Sequence, residues 1–203
     1  MTRVLLIHDT YLLRTALAAL IGREPDLEVS SASWHGALAT SRAVRPDVCV
    51  VDMDSPEAGG AGGIGELGNR GDEGDEASAL LALATAGRPG PLRRAYEVGA
   101  LGYLSKNASP DRLVEGIRHV AKGERYIDES LGFGFLQAAE MPLTRRELSV
   151  LSLAAEGASI GEIARSLHLS NGTVRNYMAA ITRKTGARNR VDAIRISRGA
   201  GWL

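Results

Sequence analysis

A single cysteine in 203 residues is the first constraint on this chain. One thiol cannot close an intrachain disulfide, so the fold must hold by packing, and Cys49, set in an apolar run, reads as a small core residue suited to a reducing compartment. Long apolar runs are missing as well. None approaches the roughly 18 residues that a membrane-spanning helix needs, and the opening RVLLIHD is broken by charge too early for a signal peptide. A cytoplasmic protein with no membrane segment is therefore expected. No Gly-Lys-Ser/Thr loop and no GxGxxG after a strand is present, which excludes those nucleotide-binding fingerprints. His35, His119 and His168 lack metal-ligand spacing and read as surface or cap residues, and no internal repeat is visible.

Net charge is absent only in sum. Residues 141–203 hold ten Arg/Lys against four Asp/Glu, whereas residues 1–140 hold fourteen against twenty, so the formal zero conceals a basic segment of +6 and an acidic one of −6. A compact basic segment is the electrostatic footprint of phosphate-backbone binding. Its sequence divides into four short helices. Thr144 with Glu147 and Ser159 with Glu162 each fit a capping box, the first opening a helix at about 145–156 that Gly157 ends. Ile160, Ile163, Ala164 and Leu167 share one face of the second helix. Ser170 caps the third, in which Val174, Tyr177, Met178 and Ile181 form a buried stripe and Arg175, Asn176, Ala179, Thr182 and Arg183 face out. A fourth helix, about 190–198, closes the unit. Two helices joined by the turn His168-Leu169-Ser170 match a helix-turn-helix whose second helix enters the major groove.

The remaining 140 residues alternate strand-like and helix-like segments: RVLLIHD, LEVSSAS, DVCVVD, SALLALAT and GALGYLSK. That order predicts a doubly wound, flavodoxin-like parallel sheet of five strands. Leu12, Leu13, Ala16, Leu17 and Leu20 supply the buried face of its first helix, and Leu113, Val114, Ile117 and Val120 that of its last, which opens near Pro110. Ligands in such sheets sit at the C-terminal strand ends, which here read Asp9, Asp52, Thr85 and Lys106. Two carboxylates suit Mg²⁺, and a lysine with a hydroxyl suits a transferred phosphoryl group.

The segments LTRRELSVLSLAAEG, EIARSLHLSNGTVRNY and RKTGARNRVDAI resemble the LuxR-type helix-turn-helix of NarL/FixJ-class response regulators, across the whole C-terminal third. The resemblance implies a recognition helix from Ser170 to Lys184, with Arg175, Asn176 and Ala179 at base-contacting positions and Thr173, Arg183 and Lys184 on the DNA backbone. Arg175 has the fork needed to bond guanine O6 and N7 together, while Ala179 can at most touch a thymine methyl. The fourth helix then carries the dimer contact through Val191, Ile194 and Arg195. The polar strand ends likewise resemble the receiver domain of these regulators, over roughly residues 3–122. By that likeness Asp52 is the phospho-acceptor, Asp9 a ligand with Asp52 for Mg²⁺, Asp54 a contributor of a backbone carbonyl, Thr85 the switch hydroxyl, Tyr103 the switch aromatic and Lys106 the phosphate-binding lysine.

The chain departs from that pattern in three places. His8-Asp9 stands where the family carries an acidic pair, and imidazole is a poor ligand for hard Mg²⁺. Residues 55–77, with eight glycines and an acidic run from Asp72 to Glu76, read as mostly loop where a receiver has its third helix. The stretch Ala86-Gly-Arg-Pro-Gly-Pro91 falls where the fourth helix begins. The expected organisation is a receiver-like domain at 1–122, a linker at 123–142 with a short helix ending near Glu140, and a DNA-binding domain at 143–203. The expected function is an atypical response regulator that binds DNA without phosphorylation or with weak phosphorylation; the alternative is a conventional regulator activated at Asp52. An enzyme is not expected, because no nucleophile–base pair accompanies the strand ends. The expected partners are double-stranded DNA, a second copy of the chain, and a sensor histidine kinase or a small-molecule ligand.

Overall fold

The computed structural model describes residues 1–59, 64, 67, 78–139, 141–200 and 202–203. The chain divides into two compact units, one of residues 1–86 and 91–135 and the other of residues 87–90 and 136–203. Strands β1 (Thr2–Ile7), β2 (Leu27–Ala32), β3 (Val48–Asp52), β4 (Ala79–Ala84), β5 (Gly102–Ser105) and β6 (Tyr126–Ile127) build the first unit with helices α1 (Tyr11–Ile21), α2 (Trp34–Val44), α3 (Pro89–Glu97) and α4 (Pro110–Ala121), and the division between the units falls within α5 (Gly132–Ala139). The sheet order is β2-β1-β3-β4-β5-β6 and every pair is parallel.

Parallel strands covered on both faces should be apolar throughout, and these are. Along β1 the side chains alternate. Val4 and Leu6 join Leu81, Leu113, Ile117 and Val120 on one side of the sheet, while Leu5 and Ile7 join Trp34, Val51, Leu92 and Tyr103 on the other. Cys49 is buried, as its apolar setting predicted.

Four expectations are corrected or narrowed. The sheet has six strands, not five, and residues 123–135 belong to the first unit. β6 is two residues long, too short for a periodic signal, yet the Tyr126 and Asp128 amides donate to the carbonyls of Leu101 and Tyr103. In α1, Leu12 is 75% and Leu13 50% exposed, Ala16 is exposed, Leu17 and Leu20 are half-buried, and Ile21 alone is fully buried. The helix is apolar nearly all round, wider than the sheet can cover, so pattern alone could not select its inner face. Pro89 and Pro91 lie in the first turn of α3, where a missing N–H leaves no hydrogen bond unmade. The loop reading of 55–77 falls mostly outside the described residues. Within it, residues 56–59 form a 3₁₀ turn, and Ile64 and Leu67, helical in backbone, are buried in the core.

The second unit consists of α6 (Arg145–Ala155), α7 (Ile160–Ser166), α8 (Asn171–Lys184) and α9 (Arg190–Gly199) around Leu143, Val150, Leu151, Ile163, Val174 and Ile181. Both capping boxes form as the sequence indicates, Thr144 with Glu147 and Ser159 with Glu162. Gly157 takes φ +94° after α6, a left-handed turn that favours glycine. No helix among the described residues is long and apolar enough to cross a membrane.

Gly102 is where β4, β5 and α4 meet most closely. A Cβ there would run into Leu81 Cδ1 and lie 2.6 Å from Val120 Cγ2, so both buried side chains would have to shift. Gly102→Ala is expected to destabilise the first unit by about 1–3 kcal/mol. Urea unfolding of the full chain followed by circular dichroism reads this directly, and an unchanged midpoint contradicts it.

Candidate functional site

Strand order reverses direction between β1 and β3, which makes the C-terminal ends of these two strands the natural crevice of the sheet. Ile7 lies opposite Val51, so His8 and Asp9 emerge beside Asp52. β4 and β5 add Thr85 and Lys106 to the same edge, where the Lys106 amide donates to the Ala84 carbonyl.

Asp52 is buried and surrounded by donors. The Lys106 ammonium pairs with its Oδ1, the Asp54 amide donates to the same oxygen at 2.9 Å, and His8 Nε2 lies 3.4 Å from its Oδ2. The tautomer of His8 follows from its other nitrogen. Nδ1 accepts from the Thr10 amide at 3.1 Å, so the proton resides on Nε2 and faces Asp52. Burial holds the His8 pKa below its ordinary value, against the opposing pull of Asp52, and the ring stays neutral at pH 7. Asp54 uses its side chain as well as its amide. Its Oδ2 accepts from the Thr85 amide at 3.0 Å and the Thr85 hydroxyl at 2.6 Å, and lies 2.9 Å from Lys106 Nζ. Tyr103 is buried, with its hydroxyl donating to the Ala100 carbonyl at 2.9 Å and its ring edge-on to Phe135; desolvation pushes its pKa up to about 12.

The donor set does not fit Mg²⁺. That ion demands near-octahedral oxygen ligation at short distance and is usually anchored by carboxylates. Asp9 is committed elsewhere: Oδ1 accepts from the Trp34 amide at 3.0 Å and Oδ2 from the Ser55 hydroxyl at 2.5 Å. Asp52 is matched to a cation and two N–H donors, one of them the His8 imidazole, whose N–H points inward. Among the described residues no group of three or more His, Cys, Asp or Glu side chains is arranged to hold a metal ion. Sequence reasoning missed Ser55, the Trp34 amide and the carboxylate role of Asp54. Nothing in their spacing separates them from ordinary turn residues.

On the second unit, α8 presents Arg175, Asn176, Ala179 and Arg183 to solvent, while Val174, Met178 and Ile181 are buried. Tyr177 and Thr182 are half-buried, and the Thr182 hydroxyl donates to the Met178 carbonyl. Thr173 belongs to the cap: its amide donates to Ser170 Oγ, and the two hydroxyls lie 2.9 Å apart. The turn into α8 is tight enough that His168 adopts φ +53°, a left-handed conformation costing a β-carbon residue roughly 1 kcal/mol. Lys184 is not simply an open cation, because Nζ lies 2.8 Å from the buried Glu147 carboxylate. In α9, Asn189 is the N-cap, Val191 is 74% exposed, Arg195 pairs with Asp192, and Ile194 packs against the core. Arg190 reaches back to the carbonyls of Ala154 and Ala158 at 2.8 and 2.6 Å.

A parallel sheet with its polar pocket at the β1/β3 crevice, followed by a tetrahelical unit with a basic outward helix, defines a response regulator built for transcription control. Residues 4–118 match the response regulator receiver domain and residues 141–197 the bacterial regulatory proteins of the luxR family. The chain belongs to the response-regulator transcription factors of the NarL/FixJ class. It is 52% identical to the response regulator RamR of Streptomyces coelicolor, over 100% of this chain and 98% of the relative. It is 35% identical to the transcriptional regulatory protein DesR of Bacillus subtilis, over the full length of both. The crystal structure of ChrA, the response regulator of a heme-sensing two-component system, superposes with a TM-score of 0.56 at 27% identity, covering 100% of this chain and 98% of that one.

The Glu147–Lys184 pair ties the end of α8 to the start of α6. Burial alone would raise the Glu147 pKa, but bonds from Lys184 and Thr144 outweigh it and hold the carboxyl below its usual value of 4.5. Lys184→Ala should therefore destabilise the second unit by about 1–3 kcal/mol with no DNA present. A carboxyl depressed by folding stabilises above its unfolded pKa and loses that contribution as pH falls through the folded one, so the gap between wild type and variant should shrink as pH falls below 4.5. Unfolding curves at neutral and acid pH test both statements; equal stability at pH 7 would remove the pair from the account.

Proposed function

We propose that this response regulator binds double-stranded DNA as a homodimer through α8 and acts without phosphorylation of Asp52. The observation that carries the second part is the pairing of Asp52 with Lys106 and a neutral His8, where phosphoryl transfer needs carboxylates free to hold a metal. Metal ions neutralise the charge that develops during such transfer, and this pocket supplies its compensation from its own side chains instead. In this reading the polar strand ends form a regulatory pocket with no enzymatic activity, and control comes from a small-molecule ligand, a protein partner or expression level. The protein works where its DNA is, in the cytoplasm.

The exposed Arg175, Asn176 and Ala179 support base reading by α8, with Arg183 on the phosphate backbone. Thr173 and Lys184, bonded within the domain, position the helix more than they contact DNA. On α9 the exposed Val191 supports a contact with a second copy, and Arg195 lies beside it; Ile194 supports the helix from beneath. The conventional reading, a regulator activated by a sensor histidine kinase at Asp52, is favoured by one feature: Lys106 and Thr85 stand at the positions a phosphoryl group would need.

Treatment with acetyl phosphate and Mg²⁺ should leave the intact mass of the wild-type chain unchanged, and Asp52→Asn should retain its DNA affinity within roughly twofold. A mass gain abolished by Asp52→Asn would instead establish the conventional reading. Arg175→Ala should cost about 1–3 kcal/mol at one base position of a selected site and little on scrambled DNA. Equal losses on both would remove Arg175 from base readout.

A further inference from the structure

Asp54 brings a further carboxylate to the donors that face Asp52. Its Oδ2 gathers a backbone amide and a hydroxyl from Thr85 at 3.0 and 2.6 Å, and an ammonium from Lys106 at 2.9 Å. Hydroxyl, amide and lysine converging on one anionic oxygen is the arrangement that would receive an oxygen of a transferred phosphoryl group. The carboxylate is fixed there by its own backbone. The Asp54 amide is bonded to Asp52 Oδ1, the preceding Met53 amide donates to the Leu83 carbonyl, and Arg94 of α3 donates to the Met53 carbonyl at 3.2 Å.

We propose that Asp54 is a built-in anion that occupies the phosphoryl-oxygen position and holds Thr85 and Lys106 in their engaged arrangement with nothing bound. The inference rests on the phosphorylation-independent reading and gives it a mechanism. The residues that would answer to a phosphoryl group already answer to a carboxylate two residues along from Asp52. The state of the β4–α3 connection is then set when the chain folds. An external anion has no advantage there, because it must displace a tethered one; a ligand can shift an equilibrium only by its differential affinity for the two states.

Amide hydrogen exchange of the full-length protein tests this at Thr85, whose N–H is one of the three donors. Asp54→Ala should raise exchange at Thr85 by roughly tenfold or more while β1 and β3 keep their protection. Asp54→Asn, which preserves shape and removes charge, should raise it by a smaller factor without unfolding. Millimolar inorganic phosphate should restore protection in Asp54→Ala and leave the wild type unchanged. Unaltered Thr85 exchange in Asp54→Asn overturns the proposal even if the alanine variant fails to fold. Phosphate protecting the wild type as well as it protects Asp54→Ala, or protecting neither, overturns it too. Failure of the earlier reading is distinguishable, since that shows as a mass gain on Asp52 whatever the exchange rates are.

Discussion

Because β1 and β3 run parallel with Ile7 opposite Val51, both strands deliver their next residues to one edge of the sheet, and His8 and Asp9 meet Asp52 there. Bringing anionic side chains together at one edge, with Asp52 buried, is costly unless each is paired and hydrogen-bonded. The rest of the pocket is an answer to that cost. Lys106 and His8 address Asp52, the Trp34 amide and Ser55 address Asp9, and Thr85 addresses Asp54. The donors come from β1, α2, β4, β5 and the turn after β3, so the pocket's electrostatics and the sheet's topology are one problem.

His8 sets the shape of this network. An acid after β1 would add charge that only a cation could offset. His8 adds none, and its two nitrogens split between the Thr10 amide and Asp52, so the cluster closes on itself. Lys106 is then shared by Asp52 and Asp54.

Much of this was legible in the sequence, and the parts that were not share a cause. Five strands, the helix faces of α7 and α8, and both capping boxes follow from local periodicity and fixed spacings of three, which the chain carries in plain form. The four polar strand ends could be grouped as one site because a parallel sheet sends all its C-termini one way. What escaped depends on distant partners. Tyr126 becomes a strand residue only because Leu101 offers a carbonyl, and Lys184 becomes a structural cation only because Glu147 is buried beside it. Likewise Leu12 has the composition of a core residue but no neighbour to cover it. The glycine-rich stretch was judged from its glycines, whereas Ile64 and Leu67 decide where it touches the core.

Arg190 links α9 to the carbonyl end of α6, spanning 36 residues of sequence with one guanidinium. Its two acceptors, Ala154 and Ala158, lie on either side of the Gly157 turn, so the clasp also closes over the point where α6 could most easily fray. The base of α9 beside Val191 is thereby fastened to the end of α6 and to the turn after it. The exposed surface around Val191 is tied to the rest of the second unit by side-chain geometry as well as by the backbone.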